Sequence, residues 1–414
     1  MNPVRLGIAF GISTVMLSGS AACGGGGGAP QTGTLLIVVN APFSVLPYVG
    51  NFSLQGAQLA ADQVNARGGV KVAGATYMVR IEKLDNQLSP ATSLDNVRRA
   101  IAEHAVAVID DGYTVDATHQ VAQAAGLPIL VDYDGNTAII DSDKRPNVFR
   151  IAPPNDAVAQ KLVGYVSGKG LRLAVMHDDS EYGRDGGAQL AQALQQKGVT
   201  PTVDVEVPSS ATDLSAQALQ VKQSGATGVL VWARAPLVAA VVKALRQGGV
   251  SAAVFGSPTA EDPVVRDQLA DHPDWVEGLT YGSFRITTEV GPEPWNAFRK
   301  AYEARYGDYK AGVKNGSRDV VQPPDWQIFP YDMVNLVAAA TQRSGTLSTA
   351  QSRIVDALTA VQITSANGDN RGWKKDNHEA VADDDIYFAT FMQDEFKPVQ
   401  DDALSRSLPP IDQE

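Results

Sequence analysis

A chain of 414 residues, 44% of them hydrophobic, is long enough to bury two cores. Its formal net charge of -12 excludes a nucleic-acid role, which needs clustered Lys and Arg against phosphate, and excludes attachment to anionic lipid by charge. A single cysteine excludes a disulfide framework and a cysteine-based zinc site.

The chain opens with a short basic start over 1–5, an apolar stretch over 6–17 too short to span a bilayer, and the small residues Ser20, Ala21 and Ala22 that a signal peptidase accepts. Cys23, the only cysteine, follows at once, and five glycines fill 24–28. Export is the expectation. The run resembles a bacterial lipoprotein signal, in which residues 1–22 are removed, Cys23 is acylated and 23–33 serve as a flexible spacer. It departs from that pattern at Ser20, where such signals usually carry Leu. Ser20-x-Ala22 also suits an ordinary signal peptidase, which would leave Cys23 as an unpaired thiol. A lipid-held chain would carry two or three acyl groups, because one binds a membrane only marginally.

From Thr34 onward short apolar strands alternate with amphipathic helices, the pattern of parallel α/β sheets. Residues 35–39 read as a buried strand. A helix over 51–65 puts Phe52, Gly56, Leu59, Ala60, Gln63 and Val64 near one face, and Gly68-Gly69 ends it where a left-handed residue is wanted. Strands over 78–84, 105–109 and 127–131 alternate with helices over 91–104 and 116–125. The rhythm restarts after Asn155 with a helix to 166. Strands over 171–177, 202–207, 229–232 and 253–255 then enclose helices over 187–197, 214–224 and 236–247. A further strand is expected over 386–391. No long proline-rich or Gly/Ser-rich tether separates the two wound units, so short crossovers join them.

Several short motifs fall in a fixed order. Gly56-Ala57-Gln58 and Asn65-Ala66-Arg67-Gly68-Gly69-Val70 come first, followed by Asp85 at a strand end, the helix and strand of 122–129, and Val148-Phe149-Arg150 with Pro153. The turn Asp178-Asp179-Ser180-Glu181-Tyr182-Gly183, then Asp213-Leu214-Ser215 and Pro330-Tyr331-Asp332, complete the series. In this order, across 35–391, they resemble the branched-chain amino acid type of periplasmic binding proteins. The resemblance implies a two-lobed type I fold in which each lobe is a mainly parallel sheet flanked by helices and three hinge crossings join the lobes. Lobe 1 would take 34–151 and 283–367, lobe 2 would take 152–282 and 368–395, and 396–414 would be a tail. It further implies a protein that closes on a small solute and delivers it to the permease subunits of an ABC importer. A monomer without a cofactor is expected.

In open α/β sheets ligands lie beyond the carboxyl ends of the strands, here the loops 40–50, 110–118, 132–137, 178–183, 232–236 and 256–262. By the resemblance, Tyr48 covers the ligand; otherwise it packs on its own lobe. Tyr113, Thr114, Asp116, Ala117 and Thr118 occupy the loop that grips the ligand head, although relatives favour paired serines there and Asp116 equally suits a helix cap. Asp134, Asn136 and Thr137 align with a loop of backbone contacts, or serve as turn-formers. In the second lobe Tyr182 matches a family tyrosine, or packs on its helix. Trp232 is either an apolar wall or a core aromatic. Arg234 pairs with an acidic ligand or lies in solvent. Amino acid binders carry a Glu after a Phe-Gly strand to pair with the α-ammonium. Here Glu261 stands two or three residues farther on, so a free branched-chain amino acid is not the expected ligand.

Enzymatic chemistry has little support. His104, His119, His177, His272 and His378 show no metal-ligand spacing, and neither a G-x-S-x-G elbow nor a Walker A loop occurs. His177-Asp178-Asp179 reads as a strand end followed by an acidic turn. Asp383-Asp384-Asp385 lacks the spaced ligands and glycine of a calcium loop. The expectation is a solute-binding protein for a small polar or amphipathic molecule of the amino acid, amide or aromatic and organic acid classes. A ligand-sensing module would use the same cleft, and a tethered hydrolase built on His177 and Asp178 is the remaining alternative.

Overall fold

β1, Thr32–Ala41, is buried from Leu35 to its end, and that is why its sequence runs apolar rather than alternating: a parallel strand is covered on both faces. In this computed structural model residues 32–284, 291–315, 318–381, 385–392 and 395–408 are described. The signal run with Cys23 lies outside them, as do Asp383 and Asp384. β2 (Val70–Val72), β3 (Ala75–Asp85), β4 (Ala107–Asp110), β5 (Ile129–Val131) and β6 (Val148–Arg150) complete a six-stranded sheet in the order β2-β3-β1-β4-β5-β6. Only β2 runs antiparallel to its neighbour. Helices α1 (Pro47–Ala66), α2 (Pro90–Ala102) and α3 (Val115–Ala124) make the crossovers. Ser89 starts α2 by accepting the Thr92 N–H, with Pro90 at the first helical position, where its missing N–H costs nothing.

The chain then passes through α4 (Asn155–Ser167) to a second sheet. Its strands are β7 (Leu173–Asp178), β8 (Val203–Val207), β9 (Gly228–Trp232), β10 (Ala253–Gly256) and β11 (Thr280–Ser283), linked by α5 (Glu181–Gln196), α6 (Ser215–Ser224), α7 (Ala235–Gln247) and α8 (Pro263–Gln268). From β11 it returns to the first sheet. There α9 (Glu293–Tyr306), α10 (Ile328–Ser344) and α11 (Arg353–Leu358) follow, α10 packing on α1, while the hairpin of β12 (Tyr309–Asn315) and β13 (Arg318–Gln322) between α9 and α10 lies against α8. A side chain at Gly56 would run into the Gln327 carbonyl oxygen, so glycine lets these two segments approach. After the short pair β14 (Ile363–Thr364) and β15 (Asn370–Arg371), the chain crosses once more to β16 (Tyr387–Met392) and β17 (Glu395–Pro398), ending in α12 (Ala403–Ser407). The second sheet is ordered β17-β16-β11-β10-β9-β7-β8, with β16 and β17 antiparallel at one edge. This is the expected α/β architecture of two mainly parallel sheets flanked by helices.

Three differences from the sequence reading have local causes. α5 begins at Glu181 rather than 187, because the Ser180 hydroxyl accepts the Gly183 N–H and starts the helix early. Residues 395–398, at the start of the expected tail, add an edge strand to the second sheet. The sequence reading marked no helix between 256 and 386, yet α9 buries Trp295, Phe298 and Tyr302 along one side and α10 is mostly interior.

Trp232, read as either a cleft wall or a core aromatic, ends β9 with 0% exposure and lies beneath α5, where a side chain at Gly186 would strike its indole. Its place is in the packing between β9 and α5. Replacing Trp232 by Ala should therefore lower the stability of the unliganded protein by about 3–5 kcal/mol, the usual cost of emptying a core aromatic site. Thermal or urea unfolding checks this; an unchanged midpoint would return Trp232 to the cleft.

Candidate functional site

In each sheet the strand order reverses beside the first parallel strand. β1 lies between β3 and β4, and β7 lies between β8 and β9. Crevices at such switch points collect the loops that follow the flanking strands. In the first sheet β1 leads to Tyr48 on α1, and β4 leads to Asp110, Asp111, Gly112 and Tyr113. Gly112 has φ near 101°, and a side chain there would come within 2.7 Å of Asp134 and Val131, so only glycine fits the turn. β5 ends in Asp132, Tyr133 and Asp134. Aromatic rings line this side: Tyr48 to Phe52 is 5.7 Å between centroids, Phe52 to Tyr133 5.6 Å, Tyr113 to Tyr133 6.0 Å and Tyr133 to Trp326 4.9 Å.

A set of buried acids supports these loops from below. Asp110 accepts Asn40 Nδ2 at 2.7 Å and the Gly112 N–H at 2.9 Å, and Asp111 accepts the Tyr113 N–H at 2.9 Å and Asn86 Nδ2. Asp132 is wholly buried beside Ser53. Burial raises all three carboxyls above the ordinary range, and the charge of Asp110 raises Asp111 further. The hydrogen bonds of Asp110 and Asp111 hold the backbone of the loop that carries Tyr113.

In the second sheet, Asp178 at the end of β7 joins two loops. Its Oδ1 accepts the Ser180 N–H at 2.9 Å and its Oδ2 accepts the Arg234 N–H at 2.8 Å. Tyr182 is buried on α5, its ring centroid 6.1 Å from that of Trp232. The Arg234 side chain is half-buried and reaches the first sheet's loop, its guanidinium carbon 4.6 Å from the Tyr113 ring centroid. After β10, Glu261 is fully buried with the Tyr281 hydroxyl 3.5 Å from Oε1. Asp262 is 3% exposed, and its Oδ2 accepts the Tyr133 hydroxyl at 2.8 Å. Burial pushes the Asp262 carboxyl up to about 8, against the Tyr133 hydrogen bond and with the charge of Asp325 adding to the rise.

The remaining expected site residues divide. Asp134 is buried, accepts the Asn136 N–H at 2.9 Å, and is pushed up to about 7 by burial against that bond and the charge of Arg150. Asn136 and Thr137 reach α5 at its N-terminal end: Asn136 Nδ2 donates to Glu181 at 3.2 Å and Thr137 Oγ1 to Asp185 at 2.8 Å. Asp116 is exposed and pairs with Arg145 at 2.5 Å on the outside of its lobe. Ala117 is half-buried on α3, and the Thr118 hydroxyl bonds back to the carbonyls of Thr114 and Val115. The Thr114 hydroxyl donates to Ser93 at 2.7 Å. The loops therefore bring together Tyr48, Tyr113, Asp134, Tyr182 and Arg234, whereas Asp116, Thr118 and Trp232 are engaged within their own lobes. Sequence reasoning missed Tyr133, Asp262, Phe52 and Trp326 as site residues. Tyr133 carried a signal, standing between two aspartates at a strand end inside an expected loop. His177 sits on Gly187 of α5, with its Nδ1 3.2 Å from the Asp178 carbonyl oxygen, which fits a strand-end role.

The sequence profile described as "Periplasmic binding protein" matches residues 39–395. A curated relative, the Leu/Ile/Val-binding protein homolog 7 of Brucella melitensis biotype 1, is 26% identical over 289 residues, covering 64% of this chain and 69% of its own length. Two solved structures share the fold. The branched-chain amino acid transporter substrate binding protein of Streptococcus pneumoniae, in complex with isoleucine, superposes with TM-score 0.73 at 19% identity, covering 88% of this chain and 97% of that one. A solute binding protein of an ABC transporter from Rhodopseudomonas palustris BisB5, in complex with 3,4-dihydroxy benzoic acid, gives 0.70 at 16% identity, covering 86% and 93%.

The buried Asp262 carboxyl makes the stability of the fold sensitive to pH. A carboxyl whose ordinary pKa of 3.8 rises to about 8 when buried stabilises the folded state fully below about 4, and that contribution is lost as pH rises through 8. Unfolding measured from pH 5 to 9 should show a decline that Asp262→Asn makes shallower; an identical slope in the variant would show that Asp262 is hydrated.

Proposed function

The chain belongs to the periplasmic binding protein family, and from that premise we propose that it is the solute-receiving component of an ABC importer, exported and held at the membrane by acylated Cys23. The family's name implies a site outside the cytoplasm, and among the described residues no helix is long and apolar enough to cross a membrane. The observation that carries the reading is the pair of contacts between the two sheets' loops, Tyr133 to Asp262 and Arg234 over Tyr113. Groups from both lobes that meet at one point are what a hinge-closing receptor needs, since ligand contacts made only in the closed state shift the population toward it.

The lobes are taken as 34–151 with 283–367 and 152–282 with 368–395. The solute is a small organic molecule, consistent with one similar protein holding isoleucine and another an aromatic acid. Tyr48, Tyr113, Tyr133, Asp134, Tyr182, Arg234 and Asp262 are the residues assigned to it. Binding rather than turnover is the activity. A solute that binds only the folded state raises stability by mass action, so protein purified without unfolding should release one organic molecule near stoichiometrically on denaturation and melt lower after its removal. Mass spectrometry of the released fraction reads the first, thermal unfolding the second; a chain that carries nothing and responds to no solute contradicts the reading.

The anchor is tested separately. Cys23→Ser should shift the mature protein from the membrane fraction to the soluble exported fraction with solute affinity unaltered, as fractionation and immunoblotting would show. Full membrane retention of the variant would mean that the apolar run over 6–17 stays uncleaved.

A further inference from the structure

Arg234 differs from two deeply buried arginines that are committed to ion pairs. Arg150, 1% exposed, is paired with Glu379, and Arg371, 2% exposed, holds Asp369 and Asp385. The Arg234 side chain, half-buried, makes no ion pair and no hydrogen bond among the described residues, and its Nε is buried without a partner. Its position is nevertheless fixed. The Asp178 carboxylate holds its backbone N–H, and the Tyr113 ring lies under the guanidinium plane. A guanidinium stacked on a ring keeps its N–H edge open, and two parallel N–H groups at that edge match a carboxylate.

Beyond Arg234 the side chains packed between the loops are aromatic. Tyr113, Tyr133, Phe52 and Trp326 follow one another at centroid spacings of 5 to 6 Å. At the far side of Tyr133 stand two buried polar atoms without partners among the described residues, Asp262 Oδ1 and Trp326 Nε1, in side chains 3% and 1% exposed. One is a donor and the other a carboxyl oxygen, and a ligand hydroxyl can serve both kinds of group. The acids that would receive an α-ammonium are committed elsewhere: Glu261 is buried toward Tyr281, and Asp134 Oδ1 caps the turn at Asn136.

We propose that the cleft takes an aryl carboxylate, with the carboxylate on Arg234, the ring against Tyr113 and Tyr133, and a ring hydroxyl at Asp262. The proposal rests on the solute-binding reading above. Arg234 is then the specificity-determining residue for charge, and Asp262 for the ring substituent. Burial holds Asp262 protonated at neutral pH, so the anion meets the guanidinium without a competing charge there.

Calorimetry on ligand-free mature protein, with benzoate, 4-hydroxybenzoate, benzamide, tyramine and leucine as probes, tests this. The expected order is 4-hydroxybenzoate above benzoate, with benzamide, tyramine and leucine far weaker. Arg234→Gln should weaken both carboxylates by about ten- to a hundredfold, the range for losing charge-assisted hydrogen bonds, while benzamide weakens far less and the unliganded melting point falls only slightly through loss of the Tyr113 contact. Arg234→Lys, which keeps the charge but not the fork, should recover part of the loss and serves if the Gln variant folds poorly. Asp262→Asn should narrow the gap between 4-hydroxybenzoate and benzoate. Aryl carboxylates bound equally well by Arg234→Gln, or leucine bound more tightly than either carboxylate, would overturn the proposal while leaving a solute-binding protein. No saturable binding to these probes or to a wide panel of amino acids, amides and organic acids would overturn that reading too.

Discussion

The Tyr133 hydroxyl reaches Asp262 across 2.8 Å from a loop 129 residues away in sequence, and both groups are buried where they meet. A phenol and a carboxyl left unpaired in such a place would each cost about 1–3 kcal/mol of lost hydration, so the two loops hold one another by the penalty for separating them in the dry state. Wetting removes the penalty. In the proposed closure, the same pair would be readily satisfied by solvent once the lobes part, which is the condition for a hinge that both shuts and reopens.

The supporting layer below the loops follows the same logic. Asp110 and Asp111 are held by Asn40, Asn86 and two backbone N–H groups. Asp178 spans the turns after β7 and β9 in the second sheet. A short carboxyl accepting from successive N–H groups rigidifies a loop without a metal or a disulfide, and it does so most strongly where water is absent. Between the sheets, Arg150 gives two N–H bonds to the carbonyls of Asp134 and Asn136 while its partner Glu379 comes from the third crossing. The loop carrying Asp134 is thereby tied to β6.

What the sequence made legible was whatever depends on a local period. β1, β4, β7 and β9 are short apolar runs because both faces are covered, and their carboxyl ends located the segments that carry Tyr113 and Arg234 in loops and Tyr48 and Tyr182 in the first turns of α1 and α5. What stayed hidden depends on partners distant in the chain. Trp232 gave no sign of which side it faced until Gly186 on α5 supplied the space for its indole. Tyr133 looked like one aromatic in a polar turn, since its meaning lies in Asp262. Asp116 looked like a ligand group or a cap and is instead held outside by Arg145. α9 and α10 escaped because their apolar residues are interrupted by Tyr, Asn and Gln that bond inside the fold, as when Tyr302 and Tyr331 reach Gln55 and Gln63 on α1.

Closure energetics set what a ligand has to supply. Contacts such as Tyr133 to Asp262 and Thr137 to Asp185 span the sheets without any solute, so they lower the free energy of the closed form for every ligand alike and cannot discriminate among them. In the proposed role, discrimination has to come from groups that the contacts between the sheets leave unsatisfied. Among the described residues of the second lobe, the Arg234 Nε and Asp262 Oδ1 are two such groups, of different chemistry, at either end of the aromatic run from Tyr113 to Tyr133. A solute that answers one of them gains affinity in proportion to one contact. A solute that answers both also aligns itself along the wall, because its two ends are fixed, and loses little further freedom on binding. The spacing of unsatisfied groups is thus a stronger selector than their number, and for the proposed aryl carboxylate it would favour a rigid, flat molecule over a flexible one of equal polarity.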